Sequence, residues 1–379
     1  MSTLSGSRHL RAAVTVALST VFPLSAGAAQ SAQQPSKDIV AARVDSMVRA
    51  YLAEKGPASI SVAISRGGET LVERAWGLAD VATNRPATAA TVYKIGSVSK
   101  QFTAVLVLKQ VERGKLALTD SLGRYLTTGL RPEWRSLIIE QLLNHTSGMP
   151  NDLTREGRPE EEVSTETMIA WAARDTMSFA PGTRMAYSNV GYLLLGALVE
   201  KLYGKPYRET LQVEIAQPLG LSTLRWCTDP AKDTTVATGH DYQGPGKNPT
   251  SAYAHPSKSL GAGGLCASAP DLAAWNRALH GGRVLSPASY SAMITPRGAA
   301  RGYGFGLQMT TTQWGAPVIY HVGGIIGFSA ANAWFPAESL SVTTLYNSVG
   351  KGFPTNFILD IARAISAQPP AKSSPPSTP

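Results

Sequence analysis

The chain has 379 residues, of which 43% are hydrophobic and 16% charged, so it is long enough to bury a large core. This composition excludes a disordered tail and a coiled coil. The formal net charge is +9 at pH 7, but Lys and Arg are scattered singly, with no basic stripe interleaved with aromatic residues. A nucleic-acid partner is therefore disfavoured.

The first residues have the layout of a secretory signal peptide. Arg8 and Arg11 precede an apolar stretch at 12–24, and the small residues of "SAGAAQ" follow as a cleavage site. We therefore predict a signal peptide at 1–29 and a periplasmic or secreted protein. No later stretch reaches the ~18 apolar residues of a transmembrane helix, so none is expected in the mature chain. A basic surface would suit an anionic cell envelope, and the oligomeric state stays open.

Cys227 and Cys266 are the two cysteines of the chain. In an exported protein an even pair favours a disulfide over two buried thiols. There is no HExxH motif and no CxxC, and the six histidines are dispersed. We therefore expect no metal site and no cofactor.

Residue periodicity predicts an α+β fold. An amphipathic helix at 38–53 leads into a hairpin made of "ASISVAIS" and "TLVERAWG". Near the other end, "GYGFGLQMT", "APVIYHVGG", "FSAANAWFP" and "LSVTTLYNS" are strand-like runs, and a helix at 356–365 follows them. The middle of the chain carries helical signals at 100–112, 138–143, 165–174, 189–203 and 271–279.

The simplest architecture that accounts for these signals is one antiparallel β-sheet built from both ends of the chain. Terminal helices flank the sheet, and an all-helical subdomain is inserted. We place a single domain at 30–366, with its sheet part at about 38–96 and 300–366 and the helical insert at about 97–299. The Pro- and Ser-rich residues 367–379 are predicted to be a disordered tail. A functional site is expected where the sheet meets the insert, since pockets favour such junctions.

The first candidate for chemistry is Ser97-x-x-Lys100 in "YKIGSVSK". The run after Ser97 is apolar on nearly every side and predicts a buried helix, on which Ser97 Oγ and Lys100 Nζ can meet. Burial and the positive helix end both lower the pKa of Lys100, so a neutral amine could accept the serine proton. The alternative is a helix cap followed by a charged residue. The same spacing recurs in "SVGK" at 348–351, which has no buried helix behind it and is interpreted as a loop.

The second candidate is "MAYSNVGYLLLG", which places Tyr187 and Asn189 at the start of another apolar helix. A nearby lysine ammonium would lower the pKa of the Tyr187 phenol and favour the phenolate. Asn189 could donate to a substrate carbonyl and orient the lysine. The alternative is a packing tyrosine followed by an ordinary N-cap asparagine.

The third candidate is "YHVGGIIG", in which His321 leaves a strand and enters Gly323 and Gly324. Glycine lets the backbone approach a ligand closely, so the Gly324 N–H could be an oxyanion donor beside the N–H groups of the helix start. The similar "HGG" at 280–282 ends a helix, where glycine is the expected C-cap.

His145 in "NHTSG" suggests a Ser-His-Asp triad with Asp120 as its partner. The Thr-Ser-Gly that follows favours a tight turn and a hydrogen-bonded structural histidine instead. No G-x-S-x-G nucleophile elbow surrounds Ser97, so an α/β-hydrolase is disfavoured.

In this order and spacing, the three motifs resemble those of the penicillin-recognising serine hydrolases, within the branch of class C β-lactamases, D-aminopeptidases and family VIII esterases. "LLNHTSGMP" and "GAGGLCASAPDLAAWNRAL" are also similar to stretches common in that superfamily, and the resemblance covers most of 38–366. It implies a penicillin-binding-protein-like fold and an acyl-enzyme on Ser97. It also implies acid–base work shared by Lys100 and Tyr187, and oxyanion donors from Ser97 and Gly324.

The third motif departs from the Lys-Thr-Gly of β-lactamases, because His321-Val322 stands in its place. Histidine is mostly neutral at pH 7, and valine offers no hydroxyl to a substrate carboxylate. We therefore predict a serine hydrolase of a small-molecule or peptide ester or amide, with an esterase or D-amino-acid peptidase ranked above an efficient β-lactamase. The alternative is a non-catalytic protein that binds peptidoglycan peptides or acts as a scaffold in the cell envelope.

Overall fold

The computed structural model describes residues 34–244, 247–349 and 355–366. The predicted signal peptide at 1–29, the predicted tail at 367–379 and the end of the "SVGK" copy lie outside the described residues. The strands of the described part are β1 Ser59–Arg66, β2 Glu69–Asp80, β3 Arg85–Pro86, β4 Tyr93–Lys94, β5 Arg225–Trp226, β6 His240–Asp241, β7 Leu265–Ala267, β8 Gln308–Thr311, β9 Pro317–Ile325, β10 Phe328–Phe335, β11 Leu340–Tyr346 and β12 Ser348–Val349.

Seven strands form one antiparallel sheet in the order β3-β2-β1-β11-β10-β9-β8. Both ends of the chain therefore contribute to it, as predicted. Every residue of β1 is buried, because the strand lies in the middle of the sheet and both of its faces are covered. Two smaller groups complete the strand pairing: β4, β7 and β5 form a three-stranded sheet, and β12 pairs with β6.

The helices of the described part are α1 Lys37–Lys55, α2 Lys100–Glu112, α3 Ile139–Leu143, α4 Thr165–Ala172, α5 Asn189–Tyr203, α6 Tyr207–Leu211, α7 Gln217–Leu219, α8 Ala269–His280, α9 Pro287–Ile294 and α10 Thr355–Ile365. None of them is long and apolar enough to cross a membrane.

The large sheet separates two apolar cores. On one face, α1 and α10 pack against alternate residues of β1, among them Ile60 and Val62. On the other face, α2, α5 and α8 share a larger core that includes Ala63. Asn276 on α8 is tied to β10 by reciprocal amide hydrogen bonds with Asn332, of 2.8 and 2.7 Å. This buried pair fixes the helical part on the sheet, because an unpaired amide there would be costly.

The predicted helices α2 and α5 have the observed bounds, whereas the run "GYGFGLQMT" is strand only over its last part, in β8. The prediction of a strand over the whole run was wrong. Gly302 and Gly306 adopt φ of +72° and +70°, which turns the chain before β8 begins. Helices α6, α7 and α9 were not predicted from the sequence.

Cys227 and Cys266 form a disulfide, as favoured from the sequence, with their Cα atoms 5.1 Å apart. Cys266 lies on β7, which pairs with both β4 and β5. The disulfide thus ties Cys227 to β7, and β7 borders the start of α2.

We expect the intact mass of the purified protein to rise by about 2 Da on reduction, for the two hydrogens gained. A closed loop of 39 residues contributes up to about 4 kcal/mol, so Cys227→Ser with Cys266→Ser should melt at a lower temperature in a calorimetric scan. An unchanged mass after reduction would contradict the disulfide.

Candidate active site

Ser97 lies in one 3₁₀ turn, Gly96–Ser99, that leads directly into α2. The turn touches β9: Gly96 has φ of +50°, and a Cβ atom there would lie 3.0 Å from the backbone nitrogen and oxygen of Gly324. The nucleophile candidate is therefore held where the sheet meets the helical part, as predicted, and its side chain is partly exposed.

Lys100 is fully buried, and its Nζ has three polar neighbours. Nζ lies 2.7 Å from Asn189 Oδ1, 2.8 Å from the Ala262 carbonyl oxygen and 3.2 Å from Ser97 Oγ. Burial lowers the pKa of Lys100 well below its ordinary value, and the nearby charge of Asp152 opposes that shift only in part. Burial therefore favours the neutral amine over the ammonium.

A neutral amine has two N–H groups and one lone pair. Asn189 Oδ1 and the Ala262 carbonyl can only accept, so they take the two N–H groups of Lys100. The lone pair then faces Ser97 Oγ, whose hydroxyl can donate to it. The contacts thus define the direction of a proton transfer from serine to lysine.

Tyr187 precedes α5, whose N-cap is Ser188, which accepts a hydrogen bond from the Gly191 N–H. Ser97 is the polar group beside the Tyr187 hydroxyl, but the pair does not reach normal hydrogen-bond geometry. Burial raises the pKa of Tyr187. Lys100 Nζ lies over the ring, 4.8 Å from its centroid. Burial therefore disfavours the predicted phenolate beside a lysine ammonium, because it favours the neutral form of both groups.

His321 is 1% exposed and does not line the cavity that contains Ser97. Its Nδ1 lies 2.6 Å from the Val322 carbonyl and therefore carries the proton, which leaves Nε2 to accept from the Tyr303 hydroxyl at 2.9 Å. Burial lowers the pKa of His321 to about 3, and Lys100 contributes to the shift. The ring is neutral and packs behind Tyr187, with their centroids 6.2 Å apart. The His321 ring therefore lies behind the wall of the cavity that contains Ser97.

The two glycines after His321 differ in their surroundings. A Cβ at Gly323 would lie 2.0 Å from the Ile95 carbonyl oxygen and 3.1 Å from the Ser97 nitrogen, so β9 can approach the turn only if this residue has no side chain. Gly324 lines the cavity beside Ser97, and a Cβ there would meet nothing within 4 Å. The close approach at Gly323 brings the backbone of Gly324 to the nucleophile.

The cavity has a volume of about 420 Å³. Its wall includes Ser97 and Asn189 together with two basic side chains, Arg155 and Lys258. Arg155 pairs with Asp152 at 2.9 Å, and Lys258 Nζ donates to two backbone carbonyls. None of these three charged residues was predicted from the sequence, because an isolated Arg, Lys or Asp belongs to no recognisable motif.

His145 is a buried structural residue next to this site. Its Nδ1 accepts from the Ser188 N–H at 3.1 Å, and its ring lies 4.4 Å from that of Tyr187. Burial lowers the pKa of His145 well below its ordinary value. Neither Asp120, which is bound by Arg124 and Tyr125, nor Ser97 contacts it, so the arrangement is not a Ser-His-Asp triad. Tyr303 was also missed, since it lies in the run first assigned to a strand.

We expect Gly323→Ala to lower kcat/KM for an ester by about 100-fold or more, because a shift of about 1 Å at the reacting groups has that effect. Gly324→Ala is the matched control for packing: its Cβ meets no protein atom, so its melting temperature, followed by circular dichroism, should stay unchanged, whereas that of Gly323→Ala should fall. Equal melting temperatures in the two variants would contradict the close-approach role of Gly323.

Comparison with known proteins identifies the family of the chain. Residues 44–364 match the family model described as beta-lactamase. A D-aminopeptidase of Brucella anthropi is 29% identical over 327 residues, which cover 83% of this chain and 60% of the relative, so the chain spans three fifths of that protein's length. The solved octameric penicillin-binding protein homologue from Pyrococcus abyssi is 27% identical with a TM-score of 0.73, over 85% of this chain and 76% of that one.

The D-amino acid amidase from Ochrobactrum anthropi SV3 is 22% identical, with a TM-score of 0.73 over 86% of this chain and 98% of that one, and so shares its fold. The predicted α+β fold and the family resemblance are thus confirmed. The match covers most of the chain, and the chain belongs to the beta-lactamase family.

Proposed function

We propose that the chain is an exported serine hydrolase that cleaves an ester or an amide through an acyl-enzyme on Ser97. The observation that carries the proposal is the fully buried Lys100, whose Nζ lies beside two acceptors, Asn189 Oδ1 and the Ala262 carbonyl, and 3.2 Å from Ser97 Oγ. Export rests on residues 1–29 alone.

In the acylation step, Lys100 Nζ takes the proton of Ser97 as Oγ forms a bond to the substrate carbonyl carbon. The carbonyl oxygen becomes an oxyanion, and the backbone N–H groups of Ser97 and Gly324 stabilise it. Asn189 holds the lysine and faces the cavity, where it can also donate to the substrate. The carbon–leaving-group bond then breaks.

Tyr187 supplies the proton for the leaving group in this scheme. Its hydroxyl is neutral before the reaction, and the ammonium formed on Lys100 favours the phenolate once the proton has left. The Lys100 ammonium returns a proton to Tyr187. The pair then removes a proton from the water that attacks the acyl carbon, and it delivers a proton to Ser97 Oγ as the acyl–Oγ bond breaks. Because the two groups are coupled, they titrate jointly.

His321, the buried histidine of the third motif, is the basis for ranking the possible substrates. A neutral His321 behind Tyr187 offers no charge to the carboxylate of a β-lactam, and Val322 has no hydroxyl. The similarity to a D-aminopeptidase supports the same choice. We therefore rank short-chain esters and D-amino-acid amides above β-lactams.

Substrate profiling of the purified protein tests this function. We expect kcat/KM for p-nitrophenyl acetate or a D-alanyl p-nitroanilide to exceed that for a chromogenic cephalosporin by at least about tenfold, since the lost charge and hydroxyl remove about 1.4 kcal/mol or more. Ser97→Ala should lose nearly all activity and all labelling by a fluorophosphonate, read by mass spectrometry. A label that persists in Ser97→Ala would refute the nucleophile. Saturable muropeptide binding without turnover would favour the non-catalytic alternative.

The pH dependence of kcat/KM should show one rising limb due to Lys100. The amine must be unprotonated to accept the serine proton, so activity is present above its pKa and is lost as the pH falls through it. Burial lowers that pKa, so the midpoint should lie well below the ordinary lysine value of about 10.4. His321→Gln should keep the limb, because His321 is neutral throughout this range. A midpoint at the ordinary lysine value would contradict the neutral base.

A further inference from the structure

A second cavity, of about 260 Å³, adjoins the catalytic cavity. Ile326, which is 44% exposed, lines both. The wall between them also includes Ala254, which lines the catalytic cavity and accepts a hydrogen bond from Lys94 of the second one. A substrate bound at Ser97 can therefore extend past Ile326 into this space.

Lys94 is the cation of the second cavity. It lies on β4, three residues before Ser97, and is 3% exposed. Nζ makes one hydrogen bond, of 3.0 Å to the Ala254 carbonyl, and lies 4.4 Å from the centroid of the Tyr253 ring. Among the described residues no carboxylate lies within ion-pair distance of it. Burial lowers the pKa of Lys94 to about 8, which still favours the ammonium at pH 7.

A buried charge without a counter-ion is costly unless a ligand pairs with it. Two carboxylates, Asp80 and Asp229, line the same cavity. Asp80 accepts from the Thr83 N–H and the Thr238 hydroxyl, which occupy both of its oxygens. Asp229 accepts the Ala231 N–H on Oδ1 and is close enough to Lys94 to favour its charged form. The cavity thus presents a cation and a carboxylate that are near each other but not paired.

The disulfide holds these two charges in place. Lys94 pairs in β-sheet register with Cys266, and Asp229 is two residues beyond Cys227. The disulfide therefore fixes the positions of both charged residues. Lys94 also belongs to the segment that carries Ser97. A site whose charged groups are fixed in advance pays less ordering entropy when a ligand binds.

We propose that this cavity is a subsite for a free amino-acid group, whose carboxylate binds Lys94 and whose ammonium binds Asp229. The assignment rests on the proposed function, because it extends that substrate class to esters or amides that carry a second, zwitterionic amino-acid unit. Tyr253, Phe328 and Ile326 surround the remainder of the unit with apolar surface.

Calorimetry with the full mature chain carrying Ser97→Ala tests the subsite without any catalysis. D-Alanine should bind saturably, and N-acetyl-D-alanine and D-alanine methyl ester, each of which lacks one charge, should bind at least tenfold more weakly. Adding Lys94→Met or Asp229→Asn should weaken D-alanine binding tenfold or more. Lys115→Met, at an exposed lysine, is the matched control and should change nothing.

The same two substitutions in the Ser97-containing chain report on the fold. Hydrolysis of p-nitrophenyl acetate, which is too small to reach the second cavity, should stay within about threefold of the unsubstituted protein. Loss of ester hydrolysis together with loss of binding would overturn the subsite, since Lys94 would then support the catalytic site itself. D-Alanine binding that survives either substitution would also overturn it. Because the calorimetry lacks Ser97, a failure of the acyl-enzyme mechanism would leave its result unchanged.

Discussion

The proposed chemistry depends on keeping Lys100 uncharged inside the molecule. The side chain has no exposed surface, and its neighbours on two sides are acceptors that can satisfy an amine but carry no full negative charge. A carboxylate in place of Asn189 would favour the ammonium and remove the base. The Asn189 amide therefore has two effects: it accepts a hydrogen bond from Lys100, and because it is uncharged it does not stabilise the ammonium.

The third motif has His321 where β-lactamases have a lysine. The aromatic residues behind the site explain how this histidine is accommodated in the fold. His321 is neutral, accepts from Tyr303 and packs behind Tyr187, together with His145. A charged residue at this depth would raise the positive potential at Lys100 and would itself need a partner. The neutral ring avoids both effects, and it leaves substrate recognition to the groups that line the cavity.

The sequence predicted α2 and α5 well because both are buried on almost every side, so their apolar letters run without interruption. The spacing of Ser97 and Lys100 also predicted their contact, since three residues on a helix define one neighbouring position. The environment of His321 was not predictable in the same way. Its burial depends on Tyr303 from a separate turn, and local periodicity contains no information on such long-range packing.

One segment, from β4 into α2, carries two buried lysines whose surroundings differ in one respect. Each amine lies over an aromatic ring and near one carboxylate: Tyr187 and Asp152 for Lys100, Tyr253 and Asp229 for Lys94. Burial is the main cause of the lowered pKa of both, but Lys100 has no exposed surface, whereas Lys94 lines a cavity. The same residue type is thus suited to act as a base at one site and as a cation in the next, because access to a cavity decides how strongly the ammonium is disfavoured.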